Sequence, residues 1–279
     1  MKLARFNGSR LGLVEDNEVV DLTDDLDLSS SDPLRELIES QRGLDDVDGD
    51  GDRDALADVR LESPIRRPGK VIAAPLNYEE HVAEMDVEMN ITERGYFLKA
   101  PSSIVGPDDT VELPYSDERF DYEVELSFLL GSDVKDLEAD EAWDHIFGYT
   151  ILLDITLRGD QDRSNRKSFD TFTVVGPWVV TADEIDDPQA LDMELKLNGN
   201  VRQSANTSDM IYSCADIVQY ASIGTTIEAG DIVTTGTPKG VGQLSDGDVI
   251  DARIESIGSM EVPVEERDVT FADVDVQKR

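Results

Sequence analysis

FDYEVELSFLLG, residues 120–131, is the stretch on which the reading of the fold turns. Its alternation predicts a strand with Tyr122, Val124, Leu126, Phe128 and Leu130 on one face and Glu123 and Glu125 on the other. Taken alone, that pattern equally describes an amphipathic strand with a wetted face. GYTILLDITLR, residues 148–158, is more demanding, because Ile151, Leu152, Leu153, Ile155 and Leu157 read as a buried strand that one acid, Asp154, interrupts. A carboxylate left uncompensated in such a strand is strongly unfavourable. Two compensations are open. One is a divalent cation shared with Glu123 and Glu125, since carboxylates plus water suit a hard ion such as Mg²⁺ or Mn²⁺. The other is a structural ion pair between Asp154 and Arg158.

Outward from this pair, strand-like runs recur near residues 97, 104, 111, 174, 193, 232 and 249, separated by Gly, Pro and Asp turns. Helical patterns are few and short, over His81–Met89, Asp140–Phe147 and Asp209–Ala221. The predicted class is therefore mainly β with short helices, α+β. Upstream, Leu11 to Val14 and Val19 to Leu22 suggest a small meander followed by a short helix. Pro64, Pro68 and Gly69 then mark residues 60–69 as a linker, giving a small domain over 1–62 and a catalytic domain over 69–270. DDVDGDGDRD, residues 45–54, has the spacing of a calcium loop but no exiting helix with Glu at the twelfth position, and reads as a solvated acidic loop.

Charge narrows the partners. Asp and Glu number 62 against 25 Lys and Arg, a formal net charge of −37, which argues against nucleic acid and anionic membrane surfaces as partners. Apolar residues at 39% still form runs able to bury a core, so the acids are expected to coat a folded surface. Self-repulsion of this size is best tolerated in molar salt, where the Debye length shrinks to roughly 3 Å, and the composition reads as halophilic. The single cysteine, Cys214, excludes an intrachain disulfide and a cysteine-rich zinc site. The amino-terminal stretch lacks a long apolar run, so a cytoplasmic protein with no membrane partner is expected.

Four further places carry chemistry. In LNYEEHVAEM, helical spacing puts Glu84 one turn from His81, a base with an orienting carboxylate or else a surface pair. His145, in EAWDHIFGY, reads as structural. Lys99 and Lys167 each adjoin strand-like apolar residues, where they either bind an anionic substrate or snorkel to the surface. GDIVTTGTPKGVG, residues 230–242, ends a strand in a glycine-rich turn whose amides could cradle an oxyanion or carboxylate, with a plain hairpin turn as the alternative. It lacks the GxxxxGK[ST] spacing of a nucleotide loop.

In order along the chain, LNYEEHVAEM, FLKAPSSIVGP, DYEVELSFLLG, GYTILLDITLR, KSFDTFTVVGPW, LNGNVRQSANTSDMIYS and GDIVTTGTPKGVG resemble the fumarylacetoacetate hydrolase family over about residues 70–265. The opening KLARF and the later VVDLT resemble the small leading domain of many members. The resemblance implies a mixed β-roll with a small N-terminal β domain, usually a homodimer, whose Mg²⁺ or Mn²⁺ is held by Glu123, Glu125 and Asp154. It implies catalytic roles for His81, Glu84 and Lys167, and substrate contacts at Lys99, Arg158, Gln161 and Thr237. Pro75 departs from the Gly usual before LNY, and Gly159 from the Asp usual after the Arg, which puts substrate identity in doubt. The implied partner is a small 2-oxo acid. The implied reaction is hydrolysis of a carbon–carbon bond in an acylpyruvate or diketo acid, with the cation stabilising an enolate and His81 activating water. Alternatives are isomerisation or decarboxylation of 2-hydroxy-dienedioates or oxaloacetate, and dehydration of a 2-keto-3-deoxy sugar acid. A non-catalytic metal- or carboxylate-binding protein would keep the three acids but need no dyad.

Overall fold

The computed structural model describes residues 1–41, 49, 51–85 and 91–273. Two strands form its spine. Val124–Leu130 and Ile146–Asp154 pair antiparallel, with Val124 opposite Leu153 and Glu125 opposite Leu152. Both are buried along their whole length apart from a half-buried Phe147, which fits their nearly continuous β-branched and aliphatic content. On one side they are flanked by Thr173–Thr181, on the other by Ile232–Thr234, then Val71–Ala73 in parallel, then the edge strand Phe97–Lys99. Parallel and antiparallel pairs thus coexist in one sheet, the mixed, mainly β arrangement expected.

The N-terminal strands extend this sheet. Lys2–Phe6, Arg10–Glu15 and Glu18–Asp21 form the expected meander, and Lys2 and Leu3 pair with Val180 and Val179 of the Thr173–Thr181 strand. Leu61 returns to pair with Phe6, so the segment around residues 60–69 runs against the sheet. A second sheet of five strands is built from Val111–Leu113, Asp192–Leu197, Asn200–Asn206, Val249–Ile254 and Gly258–Glu266. A three-stranded sheet sets Phe120–Tyr122 between Thr156–Leu157 and Gly242–Gln243.

Two cores result from the alternation. Tyr122, Val124, Leu126, Phe128 and Leu130 enter the main cluster together with residues of the five-stranded sheet such as Leu195, Ile250 and Val262. The opposite face supplies Leu129, Leu152, Val175 and Val179 to a second cluster with Leu3, Leu11 and Leu34. Leu34, Leu37 and Ile38 come from the short helix Pro33–Ser40, which starts on a proline where the missing N–H has no helical partner to lose.

The helices differ from expectation in their ends. Ala139–Ala142 is helical and runs through a 3-10 turn, Trp143–His145, but Phe147 already belongs to the strand Ile146–Asp154. The helix expected from Asp209 begins at Cys214, because Ser213 and Asp216 close a capping box there and each satisfies the other's backbone N–H. The first catalytic-region helix spans Glu79–Glu84, and residues 86–90 of the predicted helix lie outside the described residues. Half of the acidic loop at 45–54, residues 45–48 and 50, is likewise outside them, and Arg53–Ala55 forms an edge strand beside Glu18–Asp21. Among the described residues no helix is long and apolar enough to cross a membrane.

Candidate active site

The face that buries Leu129 at one end carries Glu125 and Asp154 at the other, with Leu152 directly across from Glu125. A backbone bond from Asp154 N–H to the Glu123 carbonyl, 2.9 Å, draws the two strand ends together. Glu123, Glu125 and Asp154 consequently each offer one carboxylate oxygen, and these oxygens lie within 4.8 Å of one another, all on buried side chains. This corrects the wetted-face alternative: Glu123 and Glu125 are 4% and 2% exposed.

Cations surround the trio. The Lys99 ammonium donates to Asp154 at 2.5 Å and to the carbonyls of Lys167 and Phe172. The Lys167 ammonium donates to Glu123 at 2.7 Å, Asp154 at 2.6 Å and the Thr156 hydroxyl at 2.6 Å. Neither lysine snorkels, and all three donors of Lys99 are engaged inside the protein, so it is placed as a buried counter-charge and not as a substrate contact. Arg158 does not pair with Asp154; it donates to Asp121 and Glu123, each at 2.7 Å. The reason is register: Leu157 pairs with Phe120 and Thr156 with Asp121, which carries Arg158 past its own strand to the neighbouring acids.

These contacts split the carboxylates. Burial opposes ionisation of Glu123, but Lys167, Arg158 and His81 outweigh it and hold its carboxyl at about 2. Burial, reinforced by the charges of Asp154 and Glu123, pushes Glu125 up to about 8. Burial lowers the Lys99 ammonium from its ordinary value against the pull of Asp154. It also opposes the Lys167 charge, but Asp154, Glu123 and Glu125 prevail and raise that ammonium. Crowded, hard oxygen donors, one of them resisting ionisation for want of positive charge, fit a divalent cation such as Mg²⁺ or Mn²⁺.

The cavity beside the trio is lined in part by His81, Glu123, Glu125, Asp154, Arg158, Lys167 and Thr237. His81 Nδ1 lies 3.0 Å from Glu84 Oε2, with His81 buried at the cavity wall and Glu84 exposed at its outer side, so the pair is not a surface pair on both members. The glycine-rich turn does cradle carboxylates, but they are the protein's own. Gly236 N–H donates to Glu125 and Gly240 N–H to Glu84, 3.1 Å each. Gly240 has φ 98, and a Cβ there would stand 2.1 Å from the Arg202 carbonyl oxygen, so the turn requires glycine. The Thr237 hydroxyl donates to the Val124 carbonyl and accepts from Gln203, while keeping its place on the cavity wall.

Gln161 is not among the residues lining this cavity. It sits against Gly159, where a Cβ would approach Gln161 Oε1 to 2.2 Å, so the glycine departure and the placement of the glutamine go together. Pro75, the other departure, does line the cavity, beside Leu76. His145 lies elsewhere, with its Nδ1 2.6 Å from the Ser132 hydroxyl. Cys214 is buried, and burial pushes its thiol up, out of the reactive range. Three residues of the site were not singled out from sequence. Asp121 is buried and takes both Arg119 and Arg158, while Arg163 and Arg166 line the cavity. The density of basic residues in RSNRK, unusual in so acidic a chain, was the available signal.

Residues 70–265 match the model of the fumarylacetoacetate (FAA) hydrolase C-terminal domain. The chain belongs to the fumarylacetoacetate hydrolase family. Among its relatives, the maleylpyruvate hydrolase of Aquipseudomonas alcaligenes is 42% identical, over 95% of this chain and 99% of that one. The oxaloacetate tautomerase YisK of Bacillus subtilis is 39% identical, over 74% of this chain and 73% of its own. Among solved structures, maleylpyruvate hydrolase from Sphingobium sp. SYK-6, in complex with manganese(II) ion and pyruvate, matches at 38% identity with a TM-score of 0.86, covering 95% of this chain and 99% of that one. The family fold, including the small N-terminal β region, is therefore shared along nearly the whole chain.

Proposed function

We propose that this family member is a divalent-metal-dependent hydrolase that cleaves a carbon–carbon bond of a 2,4-dioxo acid, releasing pyruvate or a homologue and a carboxylic acid. The observation that carries the reading is the placement of His81, held by Glu84, on the wall of the cavity that contains Glu123, Glu125 and Asp154. The maleylpyruvate hydrolase relatives support it, as do the manganese ion and pyruvate held by the Sphingobium protein.

Glu123, Glu125 and Asp154 would hold Mg²⁺ or Mn²⁺, which supplies Lewis acidity toward the 2-oxo acid end of the substrate. The remaining work falls to the chain's own groups. With Nδ1 donating to Glu84, His81 presents Nε2 as the proton acceptor, and Glu84 both fixes that tautomer and stabilises the imidazolium once formed. Gly240 N–H holds Glu84 from the other side. Nε2 takes a proton from water, the oxygen attacks the distal carbonyl, and cleavage of the carbon–carbon bond leaves a carboxylic acid and the enolate of the 2-oxo acid. The same imidazolium returns its proton to the departing carbon, so one water is consumed and no redox partner is needed. Arg158, anchored on Asp121 and Glu123, keeps Nη1 to receive the 1-carboxylate.

The test is turnover of acylpyruvates, maleylpyruvate, oxaloacetate and hydroxy-dienedioates in Mg²⁺ or Mn²⁺ with a chelator control. The net charge of −37 supports a protein suited to concentrated salt, so molar KCl belongs in the assay. Chelator-sensitive release of pyruvate with a carboxylic acid establishes the hydrolase. Carbon dioxide from oxaloacetate, or an enol–keto spectral change without cleavage, replaces it with a decarboxylase or a tautomerase. His81→Ala is expected to lower hydrolytic turnover about 10²- to 10⁴-fold with Mn²⁺ binding retained, and full turnover in that variant removes His81 from the mechanism.

A further inference from the structure

The strand that carries Glu125 loses one of its neighbours partway along. Ile232–Thr234 pairs with Ser127, Phe128 and Leu129, and the Thr235 N–H still reaches the Leu126 carbonyl at 3.0 Å. The chain then turns away at Gly236, whose φ is 86. Val124, between Glu123 and Glu125, is fully buried, and backbone groups at that depth must be paired. Two side chains take the place of the strand there. Val124 N–H donates to Gln203 Oε1 at 3.0 Å, and the Val124 carbonyl accepts from the Thr237 hydroxyl at 2.9 Å.

Gln203 closes these contacts into a ring. It comes from Asn200–Asn206 in the five-stranded sheet, opposite Leu195, and is itself fully buried. Its Nε2 donates to the Thr237 hydroxyl and to the Pro238 carbonyl, each at 2.8 Å. The orientation of the amide follows from its partners, because an N–H can only donate and a carbonyl can only accept. Gln203 is not among the residues lining the cavity, yet the ring touches both halves of the site. Gly236, beside Thr237, donates to Glu125; Gly240, two residues past Pro238, donates to Glu84, which holds His81. The backbone of the same strand also bounds the far end of the turn, where Gly240 packs on the Arg202 carbonyl.

We propose that Gln203 is a positioning residue that couples the two halves: through Val124 and Gly236 it sets Glu125 toward the cation, and through the turn it sets Glu84 toward His81. The proposal extends the reading in which the trio holds Mg²⁺ or Mn²⁺ and His81 is the base. An apolar side chain of the same volume would fill the space as well, but would leave the Val124 N–H and the Pro238 carbonyl unpaired and the turn free to shift.

Gln203→Met in the full-length protein keeps the volume and removes the amide's bonds to Val124, Thr237 and Pro238. Electron paramagnetic resonance of free Mn²⁺ reads the first half of the proposal. Imidazole ¹⁵N spectra of the Mg²⁺-loaded protein read the second, with His81 and His145 as the only histidines to assign. The variant is expected to bind Mn²⁺ about tenfold more weakly and to exchange the His81 tautomer protonated at Nδ1 for a mixture of the two. Where turnover is found, kcat should fall with KM unchanged, since Gln203 does not line the cavity. Leu195→Val, directly opposite, controls for general loosening: it should lower the urea midpoint and leave both readouts at their wild-type values. Unchanged Mn²⁺ affinity or an unchanged His81 tautomer in Gln203→Met overturns the coupling, and equal changes in Leu195→Val reduce it to packing; the hydrolase reading stands in either case. If Gln203→Met does not fold, Thr237→Val breaks the same ring at its hydroxyl and is held to the same two outcomes. A wild-type protein that binds no Mn²⁺ overturns both readings. One that binds Mn²⁺ but releases no pyruvate from any diketo acid overturns the hydrolase alone, because neither readout depends on turnover.

Discussion

One face of the strand pair Val124–Leu130 and Ile146–Asp154 has two ends that are equally buried and chemically opposite. At the apolar end Leu129 belongs to a cluster with Val179, Ile232 and the N-terminal Leu3 and Leu11. At the polar end Glu125 and Asp154 are as inaccessible to water as those leucines, and Lys99 and Lys167 neutralise Asp154. Burial of the leucines stabilises the fold outright. Burial of the charges contributes little net, because desolvation offsets most of the attraction, and a hydrophobic replacement of similar volume would serve stability as well or better. The polar end is thus explained by what it holds and does, and the apolar end by the fold.

The comparison can be broken most directly at Lys99. Replacing it by methionine keeps the volume but leaves Asp154 with Lys167 as its remaining ion-pair partner, and the metal-free protein should lose about 3–5 kcal/mol. Saturating Mn²⁺ should return much of that loss, since a bound cation supplies the missing charge. Denaturant titration with and without the metal reads both values. Leu129→Ala is the matching change at the apolar end. A loss of about 2–5 kcal/mol is expected there, with Mn²⁺ giving the variant no more rescue than it gives the wild type. If Mn²⁺ rescues both variants alike, the two ends are not energetically distinct and the contrast fails.

Glu125→Gln sharpens the contrast within the polar end. The folded carboxyl titrates near 8 against an ordinary value of 4.5, so ionisation opposes folding, with a cost absent below the lower value and growing as pH rises toward the upper one. The glutamine oxygen can still accept from the Thr234 hydroxyl and the Gly236 N–H. The metal-free variant is therefore expected to match the wild type near pH 4.5 and to be the more stable protein at pH 8, while binding Mn²⁺ more weakly. Urea midpoints across that range decide the matter, and a variant less stable at pH 8 would mean that the carboxylate is compensated without a metal.

How much of this was legible before the fold was known follows from the range of each interaction. Alternation in residues 120–131 is a local property, and it separated Tyr122, Val124 and Leu126 from Glu123 and Glu125 as the structure has them. Asp154 stood out because its neighbours are uniformly apolar. Dyad spacing was local too, as one helical turn joins His81 to Glu84. Lys99 was not legible, because its ammonium meets Asp154 and the carbonyls of Lys167 and Phe172, all far along the chain, and FLKA says nothing of them. Arg158 was read against the acid nearest in sequence, whereas strand register hands it to Asp121 and Glu123. The helix start at Cys214 was available in the S-x-x-D spacing of Ser213 and Asp216, a signal the periodicity reading passed over.

The smallest effect is expected where the dyad helix meets the glycine-rich turn. Two contacts join them: Lys239 to Glu80 at 2.9 Å, and the Gly240 N–H to Glu84. Lys239 and Glu80 are both more than half exposed, so their pair is screened and loses side-chain entropy when it forms. The amide contact instead fixes the carboxylate that orients His81, and its donor is backbone that no side-chain change at residue 239 removes. Lys239→Ala should therefore shift stability by less than about 1 kcal/mol and leave kcat/KM within about twofold of wild type, with no added sensitivity to salt. A larger loss of turnover at unchanged stability would show that the ion pair, and not the amide, holds the helix over the cavity, and would extend the functional half of the comparison to a residue on the surface.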